Sequence, residues 1–264
     1  MRVSGSLDFK IGFVLGLVVV GMGGLSLFYT PYDYNQMAPA ERFIPPGWQH
    51  LMGTDNFGRD VFSRIMTGAQ YTLLVSIGTV LGSLLIGASL GLISGYRGGL
   101  LDEMLMRLMD TLSSFPGILV ALMMVSLMDN KPHTLMIALL ILFIPSYVRI
   151  MRSGVLACKH RDFVKTAALM GASHCRIIFV HILPNLTHSL FSATVLGLSN
   201  AILAEATMSY LGLGIQPPIP SWGRMLSESQ SFLFNAPWCA LSPGLMIMLT
   251  VVAFHSIGEA IRQR

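Results

Sequence analysis

Tyr71-Thr-Leu-Leu-Val-Ser-Ile-Gly-Thr-Val-Leu-Gly-Ser-Leu-Leu-Ile-Gly-Ala-Ser-Leu-Gly-Leu-Ile-Ser-Gly-Tyr96 runs without a charged side chain. Crossing a hydrocarbon core of ~30 Å takes about 20 apolar residues in a helix, so this stretch reads as a membrane span. The composition agrees. Of 264 residues 53% are hydrophobic and 11% charged, against about 25% charged in an average soluble domain. Seventeen basic and 13 acidic residues cannot coat a water-soluble particle of this size, and the mean hydropathy is +0.65. These values argue against a soluble enzyme, a disordered chain or a collagen-like fibre. The net charge of +4 comes without a Lys/Arg run interleaved with aromatics, so it speaks to membrane topology and not to nucleic acid.

Other charge-free stretches extend the pattern: Ile11 to Tyr29, Thr111 to Met128, Ile182 to Ala204 and Pro237 to Gly258. A shorter one, Thr134 to Val148, starts after Pro132 and ends at Arg149 and Arg152, whose long side chains can snorkel to the interface. The expected fold is therefore all-α and polytopic, with six transmembrane helices. Arg2 and Lys10 precede the first stretch as in a signal peptide. Its apolar run is too long for one, so it reads as an uncleaved span.

Six spans put both termini on one side, and the positive-inside rule chooses it. Arg149, Arg152, Lys159, Arg161, Lys165 and Arg176 face a single acid, Asp162, in the segment between the fourth and fifth spans. That segment is expected to be cytoplasmic, with the N and C termini and the turn from Tyr96 to Arg107. Tyr29 to Gln70, Asp129 to His133 and Gly212 to Ala236 are then outside. Residues 1–70 form an N-terminal span with its outer loop, and 71–264 form the main transmembrane domain.

Within the spans, Gly78 and Gly82, then Gly87, Gly91 and Gly95, fall at GxxxG spacing. Such a face admits a close neighbouring backbone, by packing within the chain or at a subunit interface or pathway wall. Glu205, an acid at membrane depth, falls near the outer interface and reads as a structural acid bonded to loop backbone before an ion relay. Asp110 and Arg107 have the spacing of an i, i+3 pair. The methionines from Met104 to Met128 suit flexible core filling or an adaptable surface. Cys158, Cys175 and Cys239 lie far apart, and His50, His133, His160, His174, His181, His188 and His255 show no HxxH or HxxxH, so neither disulfide framework nor metal site is legible. The loop from Pro31 to Gln70, with Pro45, Pro46, Gly53 and Gly58, is long enough to be ordered and to meet an external partner. In Gln216-Pro-Pro-Ile-Pro-Ser-Trp-Gly223 the prolines stiffen the backbone and Trp222 suits a membrane interface.

Asp162 to Met170 reads as a short helix with Phe163, Ala167 and Met170 on one face; Gly171 permits a turn, and Ser173 caps a second short helix ending near Pro184. A helix-turn-helix between two spans is either a loop packed on headgroups or a docking element for a cytosolic protein. Lys165-Thr-Ala-Ala-Leu-Met-Gly171 followed by His181-Ile-Leu-Pro184 resembles the EAA loop of permease subunits of binding-protein-dependent ABC importers, with Lys165 and Thr166 where Glu and Ala are usual. Gly53-Thr-Asp-Asn-Phe-Gly-Arg-Asp-Val-Phe-Ser-Arg64, Gly95-Tyr-Arg-Gly-Gly99, Phe115-Pro116 and Ser209-Tyr-Leu-Gly-Leu-Gly-Ile-Gln-Pro-Pro218 are similar to the C-type permease of the dipeptide, oligopeptide and nickel importers.

The resemblance implies a type I importer permease fold in a bacterial inner membrane. It also implies a paralogous B-type permease, two cytosolic ABC ATPases that hold ATP and Mg, and an extracellular or periplasmic solute-binding protein. The chain itself would carry no cofactor, and it has no GxxxxGK[ST] loop. Arg161, Phe163, Lys165, Ala167, Gly171, Ala172, Leu183 and Pro184, within a coupling loop at about 160–184, are the residues it implies for ATPase contact and coupling. Peptide is the expected cargo, nickel or a metal chelate the runner-up. A self-contained secondary transporter is the reading of another class, and it would call for inverted repeats and paired intramembrane charges. A membrane-anchored scaffold is a third class, and it would not need the helix-turn-helix.

Overall fold

A computed structural model describes residues 2–127 and 132–263, with side chains from residue 9 onward. Its regular elements are helical: α1 (Arg2–Leu25), α2 (Val61–Arg97), α3 (Gly99–Ser114), α4 (Gly117–Leu127), α5 (Pro132–Lys159), α6 (Asp162–Leu169), α7 (His174–Arg176), α8 (Leu183–Tyr210), α9 (Trp222–Ser229) and α10 (Trp238–Arg262). A lone bridge pairs Thr54 with Asp60.

Four helical rods are long and apolar enough to cross a membrane: α2, α5, the continuous run His174–Tyr210, and α10. The third charge-free stretch is not one rod. Its residues fall in α3 and α4, which pass as a span only together and meet at 87°. Pro116 accounts for the break, because a residue before proline is pushed out of the helical region, and Phe115 sits at φ −88°, ψ 141°. Counting this bent pair as one span gives five, while the apolar part of α1, Phe9–Leu25, is shorter. Met128 and most of the loop expected from Asp129 to His133 fall outside the described residues.

Two further boundaries differ from the sequence reading. α2 begins at Val61, well before Tyr71, because the Asp60 carboxylate accepts from Ser63 N at 2.7 Å and caps the helix. The helix capped by Ser173 does not end near Pro184 but runs on to Tyr210. A proline inside a helix cannot donate to the carbonyl four residues back and clashes with it. The backbone widens before Pro184 into a π turn over Ile177–Ile182, and Leu183 N–H donates five residues back to Ile178 O.

The glycine face of α2 is consumed inside the chain, against α5. A methyl group at Gly87 would lie 2.6 Å from Tyr147 Cβ and 2.9 Å from Ile144 O; one at Gly91 would lie 2.9 Å from Met151 Cβ, and one at Gly95 3.0 Å from Arg152 O. Gly78 meets Met136 and Gly82 meets Leu140, so the two helices run side by side in the same direction. Close approach also brings Ser83 Oγ to Leu140 O at 2.9 Å.

The remaining helices alternate. α8 runs against α5, with Leu186 beside Gly154 and Gly197 beside the Tyr147 hydroxyl. α10 runs against α8, Ser192 Oγ donating to Gly258 O at 3.1 Å and Ser199 Oγ to Val251 O at 3.3 Å. α1 closes the bundle, with Gly12 against Ala253 O and Gly23 against Ala69 and Gln70. One core cluster joins Val19, Ile65, Ile202, Trp222 and Met246 near the end that carries α9, and another joins Met151, Val155, Ile177, Ile182 and Leu186 near the end that carries α6.

Candidate functional site

The helix-turn-helix forms as its residues dictate. α6 closes with Met170 N–H on Thr166 O, Gly171 N–H on Ala168 O and Ala172 N–H on Ala167 O at 3.0–3.1 Å. Bonds to Ala168 and Ala167 of this kind make a Schellman-type closure, which needs a left-handed residue, and Gly171 takes it at φ +80°. Ser173 Oγ then accepts from Arg176 N at 3.4 Å and starts the next helix.

Val164 and Ala167 are the buried residues of α6, seated with Cys158, Ile177 and Ile182. Ala167 is 9% exposed and turned to the chain's own core, at the covered edge of the face it shares with Phe163 and Met170. Ala172 and Leu183 are half-buried against the same cluster. Arg161, Phe163, Lys165, Gly171 and Pro184 are exposed. Leu169 at 89% and Met170 at 83% are almost bare. Leu169 was not singled out by sequence; the signal for it was a large apolar side chain at the end of a helix too short to bury two faces.

A polar clamp fastens this element to the spans. The Tyr96 hydroxyl hydrogen-bonds His174 Nδ1 at 2.7 Å, and Lys159 Nζ donates to Tyr96 O at 2.5 Å. Arg152 donates twice to Asp102, Nε at 2.5 Å and Nη2 at 2.6 Å, and Ser94 Oγ donates to the same carboxylate. The expected Asp110–Arg107 pair does not form. Asp110 accepts from Arg149 at 3.1 Å and Arg107 turns to Glu103, because α5 brings a guanidinium that also reaches Ser113 Oγ at 2.8 Å.

At the opposite end the loop before α2 is ordered by side chain to backbone bonds. Asp55 accepts from Phe57 N, Arg59 N and Arg59 Nε at 2.7–3.0 Å. Glu228 of α9 gathers Arg59, Arg64 and Arg224 at 3.4, 3.1 and 3.1 Å. Trp222 is wholly buried and donates to Ile65 O at 3.1 Å, so it anchors α9 in the bundle and does not sit at a membrane interface. Glu205 is also wholly buried. It reaches the following loop through Ser209, whose Oγ lies 2.6 Å from the carboxylate and accepts from Ile215 N at 3.3 Å, instead of bonding loop backbone itself. Of the methionines, Met109 is buried and Met124 packs on a core cluster, whereas Met104 and Met123 are exposed.

The helix-turn-helix is thus a short element between α5 and α8 with Leu169 and Met170 bare, held to the end of α2 through Tyr96 and His174. Residues 87–264 match the family model described as binding-protein-dependent transport system inner membrane component. The chain belongs to this family. It is therefore a multi-pass inner membrane permease whose transport depends on a binding protein, another permease and ATPase subunits. It is not itself the ATPase, and the self-contained secondary transporter gives way to this reading.

The permease is 38% identical to a dipeptide transport system permease protein of Alkalihalophilus pseudofirmus, over 94% of this chain and 83% of that one. It is 37% identical to a dipeptide transport system permease protein of Haemophilus influenzae, over 96% and 88%. A glutathione transport system permease protein of Pectobacterium atrosepticum is 38% identical over 95% and 83%. In this permease the helix-turn-helix lies inside the matched region, as do the Asp102–Arg152 and Tyr96–His174 contacts.

Proposed function

We propose that this permease carries short peptides inward, together with a paralogous B-type permease, on the power of two cytosolic ATPases bound beneath α6. The cargo assignment rests on relatives named for dipeptide and glutathione transport. α1 to α10 then make six crossings, with α3 and α4 as one bent crossing and both termini in the cytoplasm. Two observations support that topology. α2 and α5 run in the same direction, so the chain between them must return, and the segment from Arg149 to Arg176, which carries α6, holds six Lys or Arg residues and one acid, Asp162. Residues 1–70 serve as an added helix and outer loop on the transport domain 71–264.

The observation that carries the mechanism is the seating of α6. Val164 and Ala167 are buried against Ile177 and Ile182, and the Gly171 turn is locked by backbone bonds, so a push on α6 is passed to α8. The exposed face, Phe163, Lys165, Leu169 and Met170, with Arg161 at its rim, is the ATPase contact. Ala167, Ala172 and Leu183 hold the lever to the spans, and Pro184 sets the π turn where lever meets span. ATPase closure would rock the bundle between openings to either side.

The test is Gly171→Trp. A left-handed non-glycine residue costs about 1–2 kcal/mol, and no atom lies near the position to restrain the new side chain, which would project toward the ATPase. Uptake should fall by about tenfold, the equivalent of about 1.4 kcal/mol of docking, while membrane insertion is kept. Uptake unchanged in that variant would refute the lever.

A further inference from the structure

Resting on the permease reading above, we infer that the cleft between α5 and α8 is this subunit's wall of the aqueous peptide pathway, and that Asn200, Ser146, His188 and Ser189 meet the cargo there. The cleft encloses about 440 Å³, and its walls also include Tyr147 and Ser192. Asn200, Ser146, His188 and Ser189 are all exposed, and none has a hydrogen-bond partner within the described chain. α8 has 28 residues and ends at Tyr210, so at 1.5 Å per residue Asn200 lies about 15 Å inside its end, near the middle of a bilayer. Polar groups left without partners in hydrocarbon cost about 2–7 kcal/mol each. Ser146 is likewise mid-way along α5, so two such groups face one cleft at mid-bilayer depth and point it toward water, while His188 and Ser189, in the first two turns of α8, lie at its inner mouth.

The other side of α8 is built differently. Between it and α2 lies a groove of about 830 Å³ lined by Leu81, Leu85, Leu92, Ile178, Phe179 and Phe191 among others. The stripe 187, 190, 191, 194 faces this groove and the stripe 188, 189, 192, 196, 200 faces the cleft, so the two sides of one helix differ, the cleft carrying the larger polar share beside Phe143, Ile150 and Leu196.

The chemistry of the cleft suits a zwitterionic peptide. The Asn200 carboxamide both donates and accepts, as a peptide bond does. His188 and the serines add donors, and no Asp or Glu lines the cleft to repel a terminal carboxylate. Arg262 at one end is already held by Glu259 at 2.8 Å. Gly197 leaves the room that the Tyr147 hydroxyl occupies.

Cysteine accessibility in the complete transporter tests this. Cys158 and Cys239 are buried and Cys175 exposed, so Cys175→Ser gives the background for Asn200→Cys, Ser146→Cys and Ser189→Cys in the cleft and Leu85→Cys and Phe191→Cys in the groove. Each complex is reconstituted in liposomes and treated with a charged methanethiosulfonate, which needs an ionised thiol in contact with water. Cleft cysteines should react at least about tenfold faster than groove cysteines, because only wetted thiols ionise readily, and dipeptide-loaded binding protein with ATP should change their rates. Equal rates, or faster labelling in the groove, overturn the inference. ATPase stimulation by loaded binding protein is measured on the same complexes. Its presence with unreactive cleft cysteines defeats this assignment alone, and its absence from the Cys175→Ser complex defeats the permease reading instead.

Discussion

Arg152 and Asp102 face each other in a two-pronged ion pair, 2.5 and 2.6 Å, that ties the start of α3 to α5 fifty residues away. Ser94 of α2 completes the site, so three helices meet at one carboxylate.

Removing one partner should cost more than removing both. Asp102→Ala leaves a partly buried guanidinium without its acceptor and should destabilise the chain by about 2 kcal/mol, since hydrogen bonds to charged groups are worth about 1.5–3 kcal/mol. Asp102→Ala with Arg152→Met should recover part of that. Thermal unfolding of the two variants in detergent decides it.

The α2–α5 contact should resist any added volume. Gly87→Leu forces backbone and Tyr147 apart and should cost about 1–3 kcal/mol or more. Gly21→Ala, on α1 where no atom approaches within 4 Å, should be neutral or slightly stabilising. Comparing melting temperatures and yields of monodisperse protein checks both.

Glu228 organises three arginines, and its loss should free the loop before α2. Glu228→Gln removes the common counter-ion of Arg59, Arg64 and Arg224. Breaking a buried pair costs about 3–5 kcal/mol, and this acid, 23% exposed, should fall below that range. Limited proteolysis of the loop before α2 should become faster while the α6 end keeps its protection.

The bare apolar face of α6 should matter only in the complex. Leu169→Ala with Met170→Ala should leave the isolated chain's melting temperature unchanged, because both residues are exposed. Copurification of ATPase should weaken by about tenfold or more, the scale of one good interface residue. Val164→Asp should instead destabilise the isolated chain.

Much of this fold is legible in the amino-acid sequence. The long rods α2, α5 and α10 follow from uninterrupted apolar runs, and the turn after α6 from one glycine beside a capping serine, because these signals are local. What escaped depends on neighbours distant in sequence. Arg149 outbids Arg107 for Asp110 because α5 brings it there. Trp222 looks interfacial by residue type, yet Ser221 caps α9 and sends it into the bundle. Ala167 and Phe163 share one face, and only the fold shows that Ile177 and Ile182 cover its Val164 and Ala167 edge and leave Phe163 bare. Pro184 reads as a helix stop, but a π turn absorbs it. The polar cleft was invisible because its two stripes lie on helices that only the fold brings together.

The decisive measurement is peptide accumulation and ATP hydrolysis in liposomes containing this chain, the paralogous permease and the two ATPases, with dipeptide-loaded binding protein outside. Stimulated hydrolysis, with accumulation that needs every subunit and ATP, is the expected result. Peptide flux through liposomes holding this chain alone, without ATP, would contradict it.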